Sequence, residues 1–186
     1  PYDLVVIADG GWSTLRHHVL GPGHIVPHYA GYVVWRGMVE ATHVPGFCAF
    51  GIHKSGPLDV IAMPLVTDGG AEHVTCGVFV PTPEAEVATP GAGAARHRGG
   101  EHGVPRWFLP VIRREFGSLY GGELVRLCAA VADAGRLSPY PQYEFGAVAV
   151  TRGRLVVVGD AAHMASPRTG AGAHTAVLDA VALREA

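Results

Sequence analysis

Two short segments near opposite ends of the chain share one pattern, and that pattern limits the fold more than anything between them. A strand-like run over residues 2–8, uncharged after Asp3, leads to Asp9-Gly10, and an apolar run over residues 155–158 leads to Gly159-Asp160. Each reads as a buried strand that ends at a carboxylate and a glycine. Open α/β sheets bind their ligands at such strand ends. The two runs can lie in one sheet only if what separates them is an inserted second domain.

The intervening sequence has that character. Residues 32–39, 47–53, 58–63 and 73–80 each suit a strand, with Gly, Pro and Asp between them, as for antiparallel neighbours joined by turns. Residues 81–105 are rich in Ala, Gly, Pro and Glu and lack Leu, Ile and aromatic residues, the composition of a mobile loop. Helical spacing follows over 107–116 and 119–134, for instance at Leu124, Leu127, Cys128 and Val131, and residues 144–150 return to strand. Residues 12–20 fit a short helix. Residues 172–186 fit a longer one, whose Ala173, Ala176, Val177 and Ala180 share a face small enough to pack closely on a sheet. The expected fold is therefore α/β with an α+β insertion. Residues 1–28 and 151–186 form parts of one three-layer domain, and residues 29–150 form a second domain of mixed or antiparallel sheet with helices.

At 186 residues, with 48% hydrophobic and 16% charged, the chain has the composition of a globular protein. Lys and Arg number 14 against 16 Asp and Glu, and no basic stripe exists, so nucleic acid is not an expected partner. Cys48, Cys76 and Cys128 are odd in number and lack CxxC or metal-ligand spacing, which reads as reduced thiols of a cytoplasmic protein. No signal peptide and no membrane-spanning apolar run is expected. Residue 1 is Pro, a strand pattern begins almost at once, and the last helical pattern stops without Gly, Asn or Pro. The expectation is a piece of a longer chain.

The second segment carries the more detailed chemistry. Gly159 lets a ligand approach the backbone where a Cβ would block it. Asp160 can accept hydrogen bonds from sugar hydroxyls, or stand near a phosphate through intervening donors or water. Gly170-Ala171-Gly172 begins a helix whose first amides lack partners and whose positive dipole end suits phosphate or a delocalised anionic oxygen. A plainer alternative stands beside this, in which Asp160 caps the segment that follows. Asp9-Gly10 is likewise a frequent turn pair, and Arg16 can be a solvated helix residue. Gly170-x-Gly172 is no Rossmann fingerprint, because it follows a long turn and Thr175 stands where the third small residue belongs. Residues 11–15 are no nucleophile elbow, because Leu15 replaces the second glycine.

Taken together, Ala8-Asp9-Gly10 with Ser13 and Arg16, followed far downstream by Gly159-Asp160-Ala161-Ala162-His163 with Pro167, Gly170 and Gly172, resembles the flavin-dependent aromatic hydroxylases. That single-component class is typified by p-hydroxybenzoate hydroxylase. Residues 29–37 and 166–172 look most like its 2,6-dihydroxypyridine hydroxylase branch. The resemblance implies a partial FAD-binding three-layer domain with an inserted substrate domain, and an activity that uses FAD, NAD(P)H and O2 on a small electron-rich aromatic ring. It implies that Asp160, with Gly159 before it, binds the ribityl or pyrophosphate part of FAD. Gly170, Ala171 and Gly172 would face the flavin pyrimidine edge, and Pro167 would lie beside the isoalloxazine. Asp9 and Gly10 would belong to the motif linked to both FAD and NAD(P)H, which Arg16 closes. Two positions depart from the family pattern: Ile7 stands where glycine is usual, and His174 replaces a commoner Asn. The family's amino-terminal GxGxxG unit is not in this sequence.

The remaining candidates are fewer. The 11 histidines include no helical i, i+4 pair with a carboxylate, so no metal site is expected. Trp35 and Arg36 fall on a strand of the inserted domain. Arg36 suits an anionic or phenolate-like oxygen, or equally a surface ion pair. His163 is a candidate for substrate contact, or for packing and capping. Two other readings stay open: an FAD-binding oxidoreductase without oxygen insertion, and a non-catalytic remnant or binding domain. The oligomeric state is not legible.

Overall fold

The two acid–glycine turns do lie in one sheet. The structure, a computed structural model, describes residues 2–21, 27–70, 72–87, 104–146 and 150–186. Strand β1 (Val5–Ile7) runs parallel to strand β8 (Leu155–Val157), with Val5 opposite Leu155 and Ile7 opposite Val157. The short β7 (Thr151–Arg152) pairs antiparallel with the other side of β8, giving the order β1-β8-β7. Pairing continues one step past the strands, where the Val158 amide donates to the Ile7 carbonyl at 3.0 Å. Asp9-Gly10 and Gly159-Asp160 therefore leave the same end of adjacent parallel strands.

The chain divides into two compact units, Pro1–Ala30 with Gln142–Ala186, and Gly31–Pro141. The first has a small core of Ile7, Val19, Val157, Ala161 and Ala162. Helix α1 (His17–Leu20) contributes Val19 to it. That helix is shorter than the sequence pattern predicts, because Asp9 holds residues 13–15 in a turn. Helix α4 (Gly172–Glu185) has no buried residue. The close-packing face expected of Ala173, Ala176, Val177 and Ala180 is thus corrected: Ala173 and Ala180 are exposed, and Val177 is 61% exposed. The helix meets its own unit instead through Ala176 and Asp179, at the turn after β8.

The second unit is built on a five-stranded sheet in the order β3-β4-β5-β2-β6, made by β2 (His28–Glu40), β3 (Gly51–Ser55), β4 (Leu58–Val66), β5 (Glu72–Pro81) and β6 (Ser138–Glu144). The β3–β4, β4–β5 and β2–β5 pairs are antiparallel. Period-two alternation sends Leu58, Val60, Ala62, Val74, Cys76 and Val78 to one face, where helices α2 (Phe108–Phe116) and α3 (Glu123–Asp133) cover them. Phe108, Ile112 and Phe116 recur every four residues along α2 and are fully buried. Each such side chain contributes roughly 1.5–3 kcal/mol by leaving water. The mixed α/β architecture with antiparallel strands is the fold expected from the sequence.

Other boundaries differ from the sequence reading as well. The strand expected over 144–150 lies earlier, at β6, with residues 147–149 outside those described. Pro139 and Pro141 hid it, yet β6 is an edge strand, where proline is tolerated. The helix expected over 119–134 begins as a 3-10 turn at Leu119–Gly122, since Gly121 and Gly122 take positive φ, and becomes α-helical only at Glu123. The strand expected over 47–53 starts at Gly51. Most of the loop expected over 81–105 lies outside the described residues.

Candidate functional site

The two turns at the end of the β1–β8 pair are built differently. In the first, Asp9 is exposed but engages its carboxylate with its own turn. Its Oδ2 accepts hydrogen bonds from the amides of Thr14 at 3.1 Å and Leu15 at 3.4 Å. Gly10, at φ +86°, supplies the reversal, and its carbonyl accepts the Ser13 amide at 2.9 Å. Slight burial pushes the Asp9 carboxyl up, but the Ser13 hydroxyl and the surrounding amides outweigh it and hold the group below its ordinary value of 3.8.

Arg16 ties this turn to the other one. Its side chain is only 6% exposed, and its guanidinium donates to the carbonyls of Gly11 and, at 3.1 Å, Ala161. It also lies over the Phe145 ring, 4.5 Å from the centroid. Burial pushes the guanidinium below its ordinary value while the Asp9 charge opposes that shift. Gly11 completes the contact, because a Cβ there would collide with the side chain of Met164.

In the second turn the carboxylate faces outward. Gly159 is buried at φ +59°, and its carbonyl accepts the amides of Ala162 at 2.8 Å and His163 at 3.0 Å. Its own amide donates to Asp179 Oδ2 at 2.7 Å, and the same oxygen lies 2.8 Å from His163 Nε2. Asp160, like Asp9, is exposed, but among the described residues its carboxylate has no hydrogen-bond or ion-pair partner. The capping role open to it in the sequence is not taken up. Its Oδ1 lies 3.7 Å from the place a Cβ on Gly172 would occupy, beside the start of α4.

The approach to α4 leaves that start open. Pro167 begins a 3-10 turn, Pro167–Thr169, and Gly170 ends it at φ +65°. Ala171, at the N-cap, has no side chain to accept a hydrogen bond, and the first helical bond runs from the Thr175 amide to the Ala171 carbonyl at 2.9 Å. The amides of Gly172, Ala173 and His174 thus have no acceptor within the helix, at its positive end. An acceptor-only carboxylate and a set of backbone donors stand side by side.

In the second unit, strand alternation separates Trp35 from Arg36. Trp35 turns toward the helix-covered side and packs edge-on against Trp107, at 5.9 Å, and near Phe108. Arg36 points to the other face, its guanidinium 4.4 Å from the centroid of the Tyr140 ring. His163 is held by Asp179. Sequence reasoning missed Asp179, Gly11 and Met164. Asp179 carried a signal, because aspartate is a poor residue for the interior of an Ala-rich helix. Gly11 and Met164 carried none, since only the close approach of two distant turns makes them matter.

Among the described residues no group of three or more His, Cys, Asp or Glu is placed to hold a metal, and no helix is long and apolar enough to cross a membrane. Cys48, Cys76 and Cys128 are free thiols.

The family model for the FAD binding domain matches residues 123–186. Along 98% of its length the chain is 27% identical to 3-amino-4-hydroxybenzoate 2-monooxygenase from Streptomyces platensis, of which it covers 41%. Among solved structures, HpxO of Klebsiella pneumoniae, complexed with FAD and uric acid, is 28% identical with a TM-score of 0.65, over 96% of this chain and 41% of that one. The 2,6-dihydroxypyridine-3-hydroxylase of Arthrobacter nicotinovorans, at 24% identity and a TM-score of 0.63 over 98% of this chain and 48% of that one, shares the fold. The chain spans about two fifths of the length of the curated relatives it matches.

Proposed function

We propose that the chain belongs to the FAD-dependent aromatic monooxygenases, on the FAD binding domain matched over residues 123–186, and that its first unit holds the polyol and pyrimidine end of FAD. The observation that carries this reading is the exposed, unpartnered Asp160 carboxylate beside the uncapped start of α4. A ribityl chain offers hydroxyl donors, and the flavin pyrimidine offers carbonyl acceptors, so the residues present fit the group. Asp160 accepts from the hydroxyls, and the amides following Ala171 and Gly172 donate to the pyrimidine oxygens. Gly159, whose missing Cβ faces Ala176, serves the turn that presents Asp160, Gly170 leaves open space before α4, and Pro167 borders the ring system. Asp9, Gly10 and Arg16 shape and hold the neighbouring turn.

The reaction we assign to the whole protein is hydroxylation of an electron-rich aromatic or heteroaromatic ring, with NAD(P)H and O2 as co-substrates. When bound, FAD supplies the redox chemistry, taking reducing equivalents from NAD(P)H and delivering an oxygen atom from O2 to the ring. The backbone donors at α4 favour negative charge on the flavin oxygens. On the second unit, Arg36 is the residue suited to an anionic or phenolate oxygen of the substrate, its guanidinium lying over the Tyr140 ring. Trp35, engaged with Trp107, supports the strand from its other side, and His163 serves the turn. The ring-bearing acids and purines named for the relatives support this substrate class. The free thiols support a cytoplasmic location.

The test is a flavin-fluorescence titration of Asp160→Ala. Loss of a charge-assisted hydrogen bond should raise the FAD dissociation constant roughly 10- to 100-fold. Affinity within twofold of the unchanged protein counts against the assignment. Hydroxylated product formed per NAD(P)H oxidised then separates oxygen insertion from redox chemistry without it.

A further inference from the structure

Aspartate inside a helix exposes a short side chain that competes for backbone groups, so its presence in the middle of α4 calls for a reason. Asp179 lies two turns beyond Gly172, and one oxygen of its carboxylate takes both the Gly159 amide, at 2.7 Å, and His163 Nε2, at 2.8 Å. The Gly159 carbonyl is already bonded to the amides of Ala162 and His163. A Cβ on Gly159 would sit 3.5 Å from Ala176 Cβ, one turn before Asp179 on the same helix. The turn is therefore fixed from the sheet side and from the helix side at once.

We infer that Asp179 is a positioning residue for flavin binding, which holds the Gly159-Asp160 turn against α4 so that the Asp160 carboxylate and the first amides of α4 keep their spacing. The inference rests on the reading of Asp160 and α4 as the flavin-binding element. Two aspartates share the work: Asp160 has an open carboxylate for ligand, and Asp179 commits one carboxylate oxygen, Oδ2, to the turn. His163, as the second partner of that oxygen, keeps the Asp179 side chain aimed at Gly159.

The experiment compares Asp160→Ala, Asp179→Ala, Asp179→Asn and His163→Ala in the intact protein. Its readouts are FAD affinity by fluorescence titration, visible circular dichroism of the bound flavin, and melting of the flavin-free form. Asp179→Ala should weaken FAD roughly 10- to 100-fold, the size of one charge-assisted hydrogen bond, and should change the circular dichroism of whatever flavin remains bound. Asp179→Asn, which keeps an acceptor for the Gly159 amide, should recover most of that loss, and His163→Ala should weaken binding by a smaller factor. If Asp179→Ala lowers only the melting temperature and leaves FAD affinity unchanged while Asp160→Ala weakens it, the inference is overturned and the site reading stands. If Asp160→Ala also leaves affinity unchanged, the site reading fails and this inference with it. Should Asp179→Ala not fold, His163→Ala decides: unchanged affinity and unchanged dichroism would overturn the clamp.

Discussion

Two turns of nearly the same composition leave the same end of one parallel strand pair, and they spend their carboxylates in opposite ways. Asp9 accepts the amides five and six residues ahead on one oxygen, Oδ2, so it completes its own turn. Asp160 leaves that work to Asp179, which reaches back from α4 to hold Gly159. The difference teaches that an acid at a strand end becomes available to a ligand only when something else stabilises the turn. It also orders the two motifs: the second faces outward, and the first braces it through Arg16.

That brace is where the comparison breaks most visibly. Arg16→Ala should strip hydrogen bonds from two carbonyls and the cation from the Phe145 ring. Roughly 3–5 kcal/mol of stability should go, with thermal or denaturant unfolding as the measurement. Next in size, Gly11→Ala brings a Cβ onto the flexible, partly exposed Met164 side chain, which can turn aside, and should cost no more than about 1 kcal/mol. Pairing it with Met164→Ala should return part of that loss, and a double-mutant cycle showing no coupling would mean that the turns do not meet there.

The smallest effect concerns pH. The Asp9 carboxyl is held below its ordinary value of 3.8 in the folded chain, so its contribution is fully present above the unfolded value and fades as pH falls through the folded one. Asp9→Asn should lower neutral stability slightly, by what the carboxylate contributes there, and flatten the acid limb below about pH 4, so that the two proteins converge at low pH. A melting series from neutral to acid pH reads this directly. An unaltered acid limb would mean that Asp9 is not the group that matters there.

How much of this was legible in the sequence depended on range. The strand pair was readable because Val5, Val6 and Ile7, and Leu155, Val156 and Val157, form uninterrupted apolar runs that end at glycine and acid. The face of α3 was readable because Leu124, Leu127, Cys128 and Val131 follow helical spacing. The edge strand β6 was not, since its two prolines argue locally against a strand and only its edge position admits them. Opposite faces for Trp35 and Arg36 follow from the period of any strand; which of those faces the helices cover does not. The exposed Val177, Leu178 and Val181 of α4 mark the same limit, because amphipathic spacing says nothing about which partner is present. The partnership of Asp179 with Gly159 spans 20 residues and no local rule reaches it.

The central claim is that the open carboxylate, and not the self-engaged one, is the flavin contact. Titrating FAD against Asp160→Ala and Asp9→Ala under identical conditions tests it most directly. The account predicts a roughly 10- to 100-fold loss of affinity for the first and no more than about threefold for the second. Equal losses, or a larger loss at Asp9, would contradict it.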